Sequence, residues 1–449
     1  MERRWLLPSR PACCSLSGAC TYMSLKYAGL ALAMAWSTPH AQAQSNPCGA
    51  ATSDRQTLTL PEATQLALAV DLRSDAAKSE IATAHTATAI AALRPADTVA
   101  LDIEDFPGIG IAGDIDSLQV TGRFSRVWER GGKREARQML AKRGVGVAKA
   151  SLAAARYSVA EEVQILYVEA AVAQQRVALA CERVKISLDR EVAVKKRVDA
   201  ARDPLLSGAR AASDRMQAEA DARRYAIQAD NFLAALGAYW GAQGEFLTDP
   251  DFLEARTSLR SVDPGSLQSP EIIRLEARRM EAISRIELER TQAKSDVTWS
   301  VGVRKYGIED DIAVIGGASI PLGAHVRSAA SVAQARAEQR RIDIESQALR
   351  QQLLRRAVQY QRSAASALTE IDTIDAMLLP GARRALDLAT EGYARGALSY
   401  LDIIDAQRTL TALREERLSH LRTYILSETA LARLTSVNDT PGVREEIQE

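Results

Sequence analysis

Gly392-Tyr-Ala-Arg-Gly396-Ala-Leu-Ser-Tyr-Leu-Asp402-Ile-Ile-Asp405-Ala-Gln-Arg-Thr-Leu410 is the stretch that decides the fold. Long helical sequence runs into it and more helical sequence leaves it. Gly392 and Gly396 can adopt the positive φ that ends one helix, and Ser399 can cap the next. Asp402 and Asp405, three residues apart, fall on one face of that second helix. A chain that travels so far to one tight reversal is building a long hairpin.

Working back from the reversal, helical sequence begins near residue 328 and is interrupted late by Pro380; the outgoing helix covers 400–434. A similar pattern occupies the first half. From Lys133 no proline occurs until Pro204, roughly 70 residues or about 105 Å of helix at 1.5 Å per residue. Val159, Val163, Leu166, Val168, Val172 and later Val184, Leu188 and Val192 recur at steps of three and four with charges between them, as in coiled coils. A reversal is expected over 203–208, with a second helix from about 211 to 240.

Ahead of each long helix the apolar period changes to two. Val99, Leu101 and Ile103 alternate with Ala100, Asp102 and Glu104; Val120 and Phe124 alternate with Gln119, Thr121, Arg123 and Ser125. Val297, Trp299, Val301 and Val303 alternate with Thr298, Ser300, Gly302 and Arg304, and Ile312, Val314, Gly316, Ala318 and Ile320 share a period. Two-faced runs of about ten residues suit half-buried strands of an ordinary sheet and equally the wall of a membrane barrel. A Gly-rich loop at 107–113 and a turn at 307–311 separate the strands of each pair. Before the first pair, 60–72 and 74–93 read as short helices; a helix from Pro270 to 294 precedes the second.

The two halves therefore repeat one plan: helix, strand, strand, long helix, reversal, helix. Gly208 and Asp214 precede Gly396 and Asp402 by 188 residues each, and Ala218 matches Ala406 at the same offset. A period this long is the mark of a duplication. The expected divisions are a signal region over 1–43, with Met23 a candidate start, a first repeat over 44–249, a linker over 250–269, a second repeat over 270–436 and a tail over 437–449.

Composition narrows the function. The chain of 449 residues is 47% hydrophobic and 25% charged but only 5% aromatic, which fits long, closely packed helices rather than an enzyme core. Lys+Arg and Asp+Glu are equal at 57 each, so no basic surplus points to nucleic acid. Lys26, the apolar run 28–36 and Ala41-Gln42-Ala43 form a secretory signal that would expose Gln44. Neither Cys20 nor Cys48 has the setting of a lipidation site, so a secreted, unlipidated protein is expected. Cys48 and Cys181 would survive processing, either bridged or as two separate thiols. No later apolar run is long enough for a membrane-spanning helix, so any span must be made of strands. His85, His325 and His420 are scattered without metal-ligand spacing, and Gly108-x-Gly110-x-x-Gly113 lies between strands instead of before a helix. No metal site, cofactor or catalytic group is expected.

The sequence resembles the TolC-type outer-membrane efflux channels, and within them the CzcC-like heavy-metal branch. The residues that carry the likeness are 101–106 (Leu-Asp-Ile-Glu-Asp-Phe) with Gly108 and Gly110, and 127–137 (Val-Trp-Glu-Arg-Gly-Gly-Lys-Arg-Glu-Ala-Arg). In the second half they are Asp296-Val297-Thr298, Gly302-Val303-Arg304, Ser319-Ile320-Pro321-Leu322 and the 392–410 motif. The resemblance implies a mostly α, α+β fold in which duplicated helical hairpins form an α-barrel. Four strands per subunit would complete a twelve-stranded outer-membrane β-barrel in a homotrimer. It also implies a passive exit duct for divalent metal cations, served by a periplasmic adaptor and an inner-membrane transporter of the RND type. A drug or type I secretion duct is the alternative within the family, and a periplasmic coiled-coil adaptor or structural rod the alternative outside it.

The resemblance assigns roles to residues. Asp402 and Asp405, with Asp214 from the first repeat, would ring the periplasmic aperture and favour cations; solvated acids early in a helix would look the same. Tyr393 would hold the closed mouth through hydrogen bonds, with Arg395 a candidate basic partner. Gly208, Gly396, Leu398 and Ser399 would form the tips that meet an adaptor, or plain turns between helices. Trp128 and Trp299 would sit at the membrane interface, where aromatics are enriched, or in a core; Arg123 and Arg304 would line the lumen.

Overall fold

The computed structural model describes residues 48–49, 55–105, 117–242, 246–255, 267–307 and 311–435. The signal region, the 107–113 loop and the 437–449 tail lie outside these residues.

The first repeat opens with β1 (Gln56–Leu58), α1 (Leu60–Val70) and α2 (Leu72–Ala92). Thr59 and Glu62 close a capping box on α1, with Pro61 in its first turn, and Asp71 caps α2 through the Ser74 amide at 2.8 Å. Strands β2 (Thr98–Glu104) and β3 (Gln119–Trp128) lead into α3 (Lys133–Asp199) and α4 (Leu205–Gly237). The 67 residues of α3 run unbroken, as the absence of proline implies. After β4 (Phe246–Thr248) and a 3-10 turn at Phe252–Glu254, the second repeat brings α5 (Pro270–Thr291), β5 (Val297–Tyr306), β6 (Asp311–Ser319) and α6 (Ala324–Thr373). It ends with α7 (Leu379–Ala394) and α8 (Tyr400–Thr435).

Pro380 is accommodated without a break. It occupies the first turn of α7, and residues 374–378 just ahead of it widen into a π-helix whose Ile374 carbonyl accepts from the Leu379 amide. Three elements escaped the sequence reading. Strands β1 and β4 pair in parallel, and the expected linker after residue 250 contains the 3-10 turn, with Leu253 buried. Three-residue strands carry too short a pattern to be seen.

The helices pack through small and β-branched side chains. Val159, Val163, Tyr167 and Ala170 of α3 meet Leu233 and Leu236 of α4 and Phe246 of β4. Tyr167 donates to the Leu58 carbonyl at 2.7 Å and accepts from the Asp249 amide at 2.9 Å, tying the small sheet to α3. Val168 and Val172, on the adjoining face, pack on Leu418 of α8. Cys48 and Cys181 are bridged, fastening the segment before β1 to α3.

Strands β2-β3-β5-β6 form one antiparallel sheet in that order. Register puts Val99, Leu101 and Ile103 beside Phe124, Gly122 and Val120, and these beside Val301, Val303 and Lys305. Val303 in turn faces Val314. This apolar face is exposed in the single chain, Val99 to 83% and Val314 to 78%. The other face carries Asp102, Glu104, Thr121, Arg123, Ser300 and Arg304. Among the described residues, β2 and β6 are each paired on one side only.

Candidate functional site: the joined hairpin ends

Both hairpins reverse through the same backbone motif. In the second, Gly396 adopts φ +79°, its amide donates to the Tyr393 carbonyl, and the Ala397 amide donates to the Gly392 carbonyl at 2.8 Å. That is a Schellman turn with Gly396 in the left-handed position. In the first, Ala201 adopts φ +55°, its amide donates to the Val198 carbonyl, and the Arg202 amide donates to the Arg197 carbonyl. Asp199 and Ala394, which end the inbound helices, are 195 residues apart, as are Leu205 and Tyr400, which begin the outbound ones.

The structure corrects the 188-residue offset by one heptad. The first reversal lies at 200–204, not 203–208, and α4 begins at Leu205, so Gly208 belongs to the first turn of a helix. Gly392 also stays within α7. Its missing side chain matters for another reason: a Cβ there would stand 2.6 Å from the Leu398 Cδ1 atom, so Leu398 folds back over it. Helical periodicity matches equally well one heptad away, and an alanine at the left-handed position hid the first turn.

The outbound helix α8 starts just after Ser399, as expected, but the capping side chain is that of Asp402 and not of Ser399. The carboxylate of Asp402 accepts from the Ser399 amide at 2.7 Å and hydroxyl at 2.8 Å, and these bonds hold its pKa below the usual carboxylate value. Asp405 is exposed one turn further on. Asp214 lies in the third turn of α4 with its carboxylate 3.4 Å from Arg183, which also pairs with Asp221 at 3.0 Å.

The two ends are joined by a group that sequence reasoning found only in part. Tyr393 donates its phenol proton to Asp203, on the other hairpin. Arg197 grips the same carboxylate with Nε at 3.1 Å and Nη2 at 3.2 Å, lies 4.5 Å over the Tyr393 ring, and donates to the Ala394 carbonyl at 3.4 Å. Arg197, then Tyr393, hold the Asp203 carboxyl below its ordinary pKa. Burial, then Asp203, push the Tyr393 phenol up to about 12. Arg395, the expected basic partner, pairs instead with Glu391 on its own helix. Arg197 and Asp203 flank the first turn, so the signal for them was the 195-residue correspondence.

Beneath this group the ends share a core of Val194, Ala211, Ala389, Tyr393, Tyr400, Ile403 and Ile404. The Tyr393 and Tyr400 rings stand 6.0 Å apart. Burial raises the Tyr400 phenol to about 12.

At the opposite end of the helices, Trp128 and Trp299 lie on the apolar sheet face and are more than half exposed. Arg304, on the polar face, donates to Thr121, Gln119 and Glu104; Arg123 stands 3.8 Å from Asp102. Each arginine therefore faces a carboxylate within the sheet.

No family model matches the chain. Solved structures match over most of its length: the channel-forming protein CusC with a TM-score of 0.70 at 16% identity, covering 84% of this chain and 92% of that one. The outer membrane protein VceC of Vibrio cholerae gives 0.66 at 19% identity, covering 84% and 95%. The fold is that of the TolC-type outer-membrane channels. Curated relatives extend the TolC-type likeness to sequence. The cobalt-zinc-cadmium resistance protein CzcC of Cupriavidus metallidurans is 29% identical over 317 residues, spanning 68% of this chain and 74% of CzcC. The nickel and cobalt resistance protein CnrC of the same organism is 29% identical over 284 residues, spanning 62% and 67%.

Proposed function

We propose that the protein is the outer-membrane channel of a tripartite efflux system and a passive exit duct for divalent heavy-metal cations. It performs no chemistry; an inner-membrane RND transporter supplies the energy and a periplasmic adaptor meets the hairpin ends. The observation that carries this reading is the four-stranded sheet, apolar and exposed on one face, polar on the other and, among the described residues, open at both edges. In lipid an open edge leaves backbone groups without partners, at a cost of several kcal/mol each. Three copies joined edge to edge close twelve strands into a barrel with a polar lumen. The 67-residue α3 would then extend the tunnel about 100 Å into the periplasm.

At the far end, Asp402 and Asp405 of three protomers would place six carboxylates around the aperture. Close carboxylates raise the local concentration of cations and slow anions. The metal class follows from the relatives, which are cobalt-zinc-cadmium and nickel-cobalt resistance proteins. The test is reversal potential in planar bilayers under a salt gradient. Asp402→Asn with Asp405→Asn keeps the cap acceptor on α8 and is expected to move selectivity toward anions; an unchanged cation preference overturns the aperture assignment.

A further inference from the structure

Where the helices hand over to the strands, a groove of about 520 Å³ opens between the α2–β2 connection, the end of β3 and the start of α3. Trp128 and Trp299 form its strand side, and Arg94, Arg134 and Glu135 line it toward the helices. Register sets Arg126 opposite Trp299, so both indoles and this arginine share the apolar sheet face.

Most charges around the groove are already committed. Arg126 is paired through two nitrogens with Asp97 at 2.9 and 2.7 Å. Lys133, buried, pairs with Asp296 at 2.8 Å, and Glu129 pairs with Arg137. Arg94 is exposed and makes no direct ion pair among the described residues. Arg134 and Glu135 meet only at 3.8 Å, with Glu135 69% exposed. Arg94, which acts on Asp97 only through space, and the loose, solvent-facing Arg134–Glu135 pair thus lie open to a ligand at the border of an exposed apolar face.

We propose that this groove is a headgroup site for a phospholipid carrying both a phosphate and a primary ammonium, that is, phosphatidylethanolamine. The phosphate lies against Arg94 and Arg134, and the ammonium donates to Glu135. The glycerol region rests on Trp128 and Trp299, and the acyl chains follow Phe124 and Val301 along the sheet. The charge pattern decides the class: phosphatidylglycerol offers Glu135 only neutral hydroxyls in place of a cation, and phosphatidylcholine has no N–H to donate to it. The proposal rests on the outer-membrane reading given above.

The test is native mass spectrometry of the detergent-extracted trimer, titrated with the three lipids bearing identical acyl chains. Three phosphatidylethanolamines per trimer are expected, bound at least tenfold more tightly than phosphatidylcholine or phosphatidylglycerol. Arg94→Gln with Arg134→Gln should lower that affinity at least tenfold, and Glu135→Gln should reduce it to the phosphatidylcholine level. Inorganic phosphate at millimolar concentration should not compete. A heat-modifiable trimer that binds all three lipids equally, binds none because a neighbouring protomer fills the groove, or is unaffected by the arginine changes overturns the headgroup site alone. A protein that never enters bilayers overturns the site together with the channel reading.

Discussion

Tyr393 and Asp203 stand 190 residues apart in the chain and meet through one hydrogen bond, phenol to carboxylate, that joins the ends of the two hairpins. Because Arg197 holds the same carboxylate and covers the tyrosine ring, the three side chains act as one tie. In the channel proposed above, opening the aperture by moving the second hairpin away from the first would break it. Tyr393→Phe keeps the packing and removes the bond. A net hydrogen bond of about 1 kcal/mol corresponds to about a fivefold shift in an equilibrium. Single-channel recordings of Tyr393→Phe should show open probability raised about fivefold for each protomer released. Asp203→Asn should act in the same direction.

The tie should also respond to pH, with opposite signs at the two ends of the scale. Asp203 has a depressed folded pKa, so its contribution is present above the ordinary value near 3.8 and is lost as pH falls through the lower folded value. Tyr393 has a raised pKa, so its contribution is present below about 10 and is lost as pH rises through about 12. Conductance in bilayers should therefore be lowest on a plateau from about pH 5 to 9 and rise on both sides. Asp203→Asn should abolish the acidic limb and leave the alkaline one smaller but present.

Ala201 occupies the left-handed position that Gly396 fills in the other hairpin. A Cβ there costs roughly 1–2 kcal/mol. Ala201→Gly should slow hydrogen exchange of the 200–204 turn amides by about fivefold, and Gly396→Ala should accelerate exchange at 395–399 by a similar factor.

The Cys48–Cys181 bridge closes a separation of 133 residues and fixes the segment before β1 to α3. Loop entropy alone makes it worth about 4–5 kcal/mol. Spread over a chain of this size, that is a fall of about 5 °C in Tm for the Cys48→Ser, Cys181→Ser variant, readable by differential scanning calorimetry with and without reductant.

Much of this architecture was legible because its signals are long. Sixty-odd residues without proline could only be α3, and alternation from Val297 to Arg304 could only be a strand. Which face of the sheet is apolar followed from the same alternation once register was known. What escaped was local or relational. The pairing of β1 with β4 rests on three-residue strands. The first turn was displaced by a heptad because Ala201 does the work expected of a glycine. Arg197 lay in an expected helix and Asp203 at the start of an expected turn; only the fold shows that they face Tyr393. Whether Cys48 and Cys181 meet was likewise open until α1, β1 and α3 were placed together.

The proposed barrel closes only when three copies of this sheet join. Protein extracted from outer membranes in mild detergent should be weighed by multi-angle light scattering with the detergent contribution subtracted. Three chains per particle, dissociating to one on heating, is the result expected. A single chain that stays monomeric with its strand edges open would contradict the barrel, the aperture and the tie that guards it.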